Sequence, residues 1–238
     1  MTFFSSNIQR RPRIVFILWI VYSIVCFTGL SSLYSKPSPV YRQRVAVIPL
    51  GAYIPHTIHA VTNVLGEWYG VRFQMLAEQP MPPQAFYTPR GRWRAEKLLT
   101  YLKKIKPPNA DFIIGITDED ISTTAHGYED WGILGQAFVG GQVCICSTHR
   151  IRIKSHNEYQ YNRRWEKLVL HEFAHAMGLS HCTNRQCIMR DAQGTINTLD
   201  EEETLCSSCT ALLEQYYSIT QCRKQRTAEI TAQNNKYH

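Results

Sequence analysis

The sequence predicts an α/β fold with a mainly parallel sheet and a small metal-bearing C-terminal part, and three observations lead there. From Arg44 to Thr117, apolar runs alternate with amphipathic stretches in the order strand, helix, strand, helix, strand, which implies crossover helices joining parallel neighbours. RRWEKLVL, Arg163 to Leu170, contains no Gly or Pro and marks a further helix that runs into a cluster of histidines. Beyond it lie two close cysteine pairs, Cys182 with Cys187 and Cys206 with Cys209. With 238 residues and 44% hydrophobic content, the chain holds one folded domain of ordinary size plus appendages.

Residues 1–13 form a basic N-terminus carrying Arg10, Arg11 and Arg13, which the positive-inside bias keeps in the cytoplasm. Residues 14–33, IVFILWIVYSIVCFTGLSSL, are an uncharged run that as a helix extends about 30 Å and matches a bilayer core. A single-pass membrane anchor is expected there, with the folded domain outside the cytoplasm; a signal removed on secretion is the alternative. Within this run Cys26 reads as an apolar membrane residue. Residues 34–43 are a linker with Pro37 and Pro39, residues 44–216 the folded domain, and residues 217–238 a polar tail in which Cys222 reads as free.

The domain opens with RVAVIPLG, Arg44 to Gly51, read as a buried strand. Pro55 to Tyr69 has Pro at its start and apolar residues at Ile58, Val61, Leu65 and Trp68, the pattern of an amphipathic helix. VRFQML is a second strand. Trp93 to Ile105 is a second helix closed by Pro107 and Pro108, and DFIIGIT a third strand. Trp131 to Arg150 reads as two short strands about Gly140 and Gly141. Cys144 and Cys146, two apart on a strand, share a face and read as buried free thiols. His56, His59, His126, His149 and His156 read as surface or satisfied histidines, and Asp118, Glu119 and Asp120 as an acidic turn. The formal charge of +7 is not arranged as a basic stripe interleaved with aromatics, so no nucleic-acid partner is expected.

The stretch HEFAHAMGLSHCTNRQC, His171 to Cys187, carries the chemistry. Histidines four apart on a helix project from one face about 6 Å from each other, the separation one metal ion needs. Gly178 can adopt a left-handed conformation and turn the chain off the helix axis, which brings His181 back as a third ligand. In a continued helix His181 would face away, roughly 240° around the axis from His175. Three imidazoles with one open position are the ligand set of catalytic zinc. Glu172 beside them is placed to be a general base acting on water. The four cysteines Cys182, Cys187, Cys206 and Cys209 suit a closed tetrahedral structural zinc, making two zinc ions in all. Two disulfides are the alternative, and an oxidising compartment would favour them.

HExxHxxGxxHC, then four residues, CxM, and CxxC further on, resembles the signature of the archaemetzincins, a branch of the metzincin metallopeptidases. Here it reads HEFAHAMGLSHC, TNRQ, CIM and CSSC, with 18 residues between Cys187 and Cys206. The resemblance implies a metzincin-like sheet with an antiparallel edge strand lining the cleft, a peptide or protein substrate, catalytic zinc on His171, His175 and His181, Glu172 as base, and a second zinc on the four cysteines. It also implies that Met189 forms a turn beneath the catalytic metal. Two other readings stay open on the residues alone. One is a gluzincin with Glu201, Glu202 or Glu203 as third ligand; the other is a non-catalytic module that binds a peptide or partner.

Overall fold

The protein is described here by a computed structural model covering residues 43–192, 195–201 and 203–216. In β1 (Arg44–Pro49) every residue after Arg44 is buried, and in β5 (Phe112–Thr117) all are. Such continuous burial is what a parallel sheet covered on both faces requires. β1 pairs in parallel with β2 (Arg72–Met75) and with β5, and β5 pairs in parallel with β9 (Val143–Ser147). The five-stranded sheet has the order β2-β1-β5-β9-β8, where β8 (Gly135–Phe138) is an antiparallel edge strand paired with β9.

Side chains alternate between two cores. Val45, Val47, Ile114 and Ile116 pack with α1 (Pro55–Tyr69) and α4 (Glu158–Met177), whereas Ala46, Ile48, Ile113 and Ile145 pack with α2 (Ala95–Ile105) on the opposite face. The strand–helix alternation predicted from Arg44 to Thr117 is therefore realised. The second predicted helix starts at Ala95 because Arg92–Arg94 form the short strand β4. Cys144 and Cys146 are buried on one face as free thiols.

A second sheet of order β3-β4-β6-β7 was not predicted: β3 (Phe86–Tyr87), β4, β6 (Ile121–Ala125) and β7 (Tyr128–Ile133). Its strands are short and polar, and charge pairs help to tie them. Arg92 reaches Asp120 at 2.8 Å and Asp130 at 2.9 Å, and Arg94 bonds to Glu96 and to the Glu129 carbonyl. From β7 the chain continues through Leu134 into β8, so one extended run leaves the small sheet and edges the large one. The short helices α3 (His149–Lys154) and α5 (Thr198–Glu201) flank α4, and residues 207–216 are helical.

The expectation of a single-pass membrane protein with an extracytoplasmic domain is corrected. The anchor expected at 14–33 lies outside the described residues, as do the N-terminus at 1–13 and the tail at 217–238. Among the described residues no helix is long and apolar enough to cross a membrane. The longest, α4, carries Arg163, Arg164, Glu166, Lys167 and Glu172 along its length, charges that are costly in hydrocarbon.

Candidate metal centre and cleft

α4 begins five residues before Arg163. Asn157 caps it by accepting the Gln160 N–H at 2.9 Å, and the Gln160 side chain reaches back to the His156 N–H at 2.9 Å. This reciprocal arrangement resembles a capping box. The Trp165 indole donates to the Thr57 carbonyl at 3.1 Å, and the Tyr69 hydroxyl to the Leu170 carbonyl at 3.2 Å, anchoring the helix to α1. Gly178 ends it with φ 117°, and the Leu179 N–H closes onto the Ala174 carbonyl at 3.0 Å. Two carbonyls at this end also accept from the β8–β9 loop: Gly140 N–H donates to His175 at 2.9 Å and Gln142 N–H to Ala176 at 3.1 Å.

Beyond that turn His181 comes back to the other two histidines. The ring centroids of His171, His175 and His181 lie 4.5, 4.8 and 5.5 Å apart, and all three offer nitrogens within 4.8 Å of one another. Nε2 of His171 and of His175 are 2.9 Å apart. Nδ1 of His171 faces the Ile188 carbonyl and Nδ1 of His175 the Leu179 carbonyl, each at 2.6 Å. A carbonyl only accepts, so each Nδ1 carries the proton and each Nε2 turns its lone pair inward. Burial, with the neighbouring His175, pushes His171 down to about 3, and burial also lowers His175. Both are therefore neutral, as metal ligation requires. His181 Nδ1 lies 3.8 Å from Asp191 Oδ2.

Glu172 lines the same cleft as His171 and His181 but is not part of the three-histidine group. It is buried, and burial pushes its carboxyl up to about 8. Gly135 of β8 lies against it: a Cβ there would come within 2.6 Å of Glu172 Cγ. Gly135 is a site residue the sequence reading missed, although a glycine inside a strand is a sign of close approach. The orienting carbonyls of Ile188 and Leu179 left no side-chain signal at all. Met189 is fully buried, and its carbonyl accepts the Cys182 N–H at 2.7 Å.

The four cysteine sulfurs also lie within 4.8 Å of one another. Cys182 Sγ to Cys206 Sγ is 3.8 Å and Cys187 Sγ to Cys209 Sγ 3.7 Å. A disulfide would bring sulfurs to about 2.05 Å, whereas a tetrahedron with 2.3 Å metal–sulfur bonds has edges of about 3.8 Å. The observed spacing fits the tetrahedron. The Cys209 backbone N–H pulls the Cys206 thiol down to about 7, while burial raises Cys187 and Cys209. Among the described residues these two groups are the clusters suited to a metal. Glu201 instead pairs with Arg190 at 2.6 Å, Glu203 is in neither group, and Glu202 lies outside the described residues. The other histidines are dispersed: His149 Nδ1 contacts the Asp118 carbonyl at 3.1 Å, and His126, at the β6–β7 turn, rims the cleft.

Residues 61–215 match the family described as Peptidase family M54. A curated relative, the archaemetzincin of Halobacterium salinarum, is 28% identical over 174 residues, covering 70% of this chain and 96% of the relative. The crystal structure of archaemetzincin from Methanopyrus kandleri superposes with a TM-score of 0.66 at 24% identity, over 76% of this chain and 99% of that one. A zinc-dependent peptidase from Methanocorpusculum labreanum gives a TM-score of 0.55 at 20% identity, over 70% of this chain and 98% of that one. At these identities the solved structures establish the shared fold. Residues 14–33 precede the matched residues.

Proposed function

The chain belongs to peptidase family M54, the archaemetzincins, and from that premise we infer how this zinc metallopeptidase divides its chemistry among its residues. His171, His175 and His181 hold the catalytic zinc, Glu172 is the general base, and Cys182, Cys187, Cys206 and Cys209 hold a second, structural zinc. The peptidase domain spans residues 44–216. Bound zinc supplies Lewis acidity toward a water and toward the scissile carbonyl.

The observation that carries this reading is the convergence of three imidazoles with two Nδ1 atoms tied to carbonyls, beside a carboxyl pinned by Gly135. An extended peptide lies along β8, whose outer edge has backbone groups for strand pairing. A Glu172 carboxylate oxygen takes the proton from the attacking water, and the same oxygen hands it to the departing amine nitrogen as the C–N bond breaks. Burial raises the proton affinity of Glu172 in the metal-free site; a zinc cation on the histidines would favour the carboxylate that accepts the proton, while the buried surroundings suit a group that must hold it between the two transfers. The non-catalytic alternative gives no role to such a carboxyl beside an open cleft.

The test is zinc counting and peptide cleavage on the full chain and on Glu172→Gln. Two zinc ions per chain in both, with hydrolysis only in the wild type, is the expected result. One ion, or loss of zinc from the Glu172→Gln protein, would overturn the assignment.

A further inference from the structure

We propose that Arg150 and Lys154 form a carboxylate-binding subsite that selects substrates by an acidic side chain or a free C-terminus on the leaving-group side of the scissile bond. This rests on the peptidase reading above and names the substrate class for the same cleft. Both residues belong to α3, four positions apart, so their side chains lie on one helix face about 6 Å from each other. Both line the cleft that His171, Glu172 and His181 also line.

The wall is shaped to admit the guanidinium. Gly132 of β7 lies against Arg150, and a Cβ on Gly132 would overlap the guanidinium group itself. Asp120 grips Arg150 through Nε at 2.7 Å and Nη2 at 3.1 Å, and is itself fixed by Arg92 at 2.8 Å. The guanidinium plane is thus held in place. Among the described residues, Arg150 Nη1 and Lys154 Nζ have no carboxylate partner. The cleft's third cation, Arg190, is already engaged by Glu201 at 2.6 Å. Of the carboxylates lining the cleft, Asp191 lies 3.8 Å from His181 and Glu172 faces Gly135. The acidic groups lining the cleft are with the histidines, whereas Arg150, its Nη1 uncommitted to a carboxylate, lies against Gly132, and Lys154 follows one helical turn along α3.

The register follows from the run that joins β7 to β8. Gly132 and Gly135 mark the positions of Arg150 and Glu172 along it, and three residues of extended chain span about 10 Å. A peptide pairing antiparallel to this run points its C-terminal part toward Gly132. A carboxylate two or three residues beyond the scissile bond then meets Arg150 and Lys154, where charge-assisted hydrogen bonds add affinity.

The experiment uses the zinc-loaded full chain with Glu172→Gln, so that binding is read without turnover. Three N-terminally labelled peptides of one core sequence are titrated by fluorescence anisotropy: one with Glu on the leaving side and an amidated end, one with Gln and an amidated end, and one with Gln and a free carboxylate. Either carboxylate peptide, or both, should bind about tenfold more tightly than the neutral one, as expected for a hydrogen bond to a charged group. Which of the two does so identifies the source. Adding Lys154→Glu, an exposed position, should abolish the preference and favour a Lys-bearing peptide. Arg150→Met should weaken it in the same sense. Equal binding of all three peptides, no binding of any, or a preference untouched by Lys154→Glu would overturn the subsite. Cleavage of the same peptides by the wild-type protein reports separately on the peptidase reading.

Discussion

Gly135 and Glu172 meet so closely that any side chain at 135 would push the carboxylate out of position, since a Cβ would lie 2.6 Å from Cγ and 2.9 Å from Oε1 of Glu172. Gly135→Ala should therefore lower kcat by roughly 10- to 100-fold, the scale on which a small misplacement of a reacting group acts. Zinc content should stay unchanged because the histidines are untouched. Unaltered kcat in a folded, zinc-replete Gly135→Ala protein would show that Glu172 is not positioned by this contact.

The raised proton affinity of Glu172 has a stability signature in the metal-free protein. Folded, the carboxyl keeps its proton up to about 8, against an ordinary value of 4.5. Its contribution is thus fully present below the ordinary value and is lost as pH rises through the folded one. Glu172→Gln cannot titrate. The stability of wild type minus Glu172→Gln should fall with rising pH across that window, with a slope approaching roughly 1.4 kcal/mol per pH unit. Chemical denaturation at a series of pH values under chelator measures it, and a flat difference would contradict the buried neutral carboxyl.

Cys206 reaches the histidines through the chain around Met189. Its N–H contacts Cys187 Sγ at 3.4 Å, the Ile188 N–H bonds to Thr204 at 3.0 Å, and Ile188 holds His171. Cys206→Ser should reduce affinity for the catalytic zinc by about 10- to 100-fold, the usual effect of losing an orienting support. Competition with a zinc-binding dye would quantify it. Thermal melts separate the two states of the cysteines: the wild type should tolerate reductant and lose stability under chelator, whereas loss to reductant alone would favour disulfides.

Arg164 is buried and forked onto Asp200 at 2.8 and 2.6 Å, which holds the Asp200 carboxyl below its ordinary value. Asp200→Asn should cost about 1–3 kcal/mol, less than a fully buried pair because the carboxylate is partly exposed. Since the folded value is depressed, the contribution is present above about pH 4 and fades as pH falls through the folded value. Denaturant midpoints of the two proteins should converge on acidification; a constant gap would assign the loss to packing.

How much of this was legible depended on where the determinants reside. The spacing of His171, His175, Gly178 and His181 encodes helix, turn and return, because each step follows from backbone geometry. The start of α1 was readable from Pro55, whereas its left-handed cap at Gly70 emerged only with the structure. β4, β6 and β7 were not: their partners are Arg92, Asp120 and Asp130, charges that pair only once the chain has folded. Gly132 and Gly135 looked like ordinary glycines because the side chains they accommodate, Arg150 and Glu172, lie 18 and 37 positions further along the sequence.

The imidazoles of His171 and His175 are steered by the main chain, through the carbonyls of Ile188 and Leu179. A peptide carbonyl is common to every residue type, so substitution at 188 or 179 leaves the acceptor in place as long as the local path of the chain is kept. The tautomer is consequently shielded from point mutation and exposed to insertion or deletion. Transplanting the histidine signature into another helix would reproduce the ligands without their orientation, and a working graft would have to carry the loop through residue 189 as well.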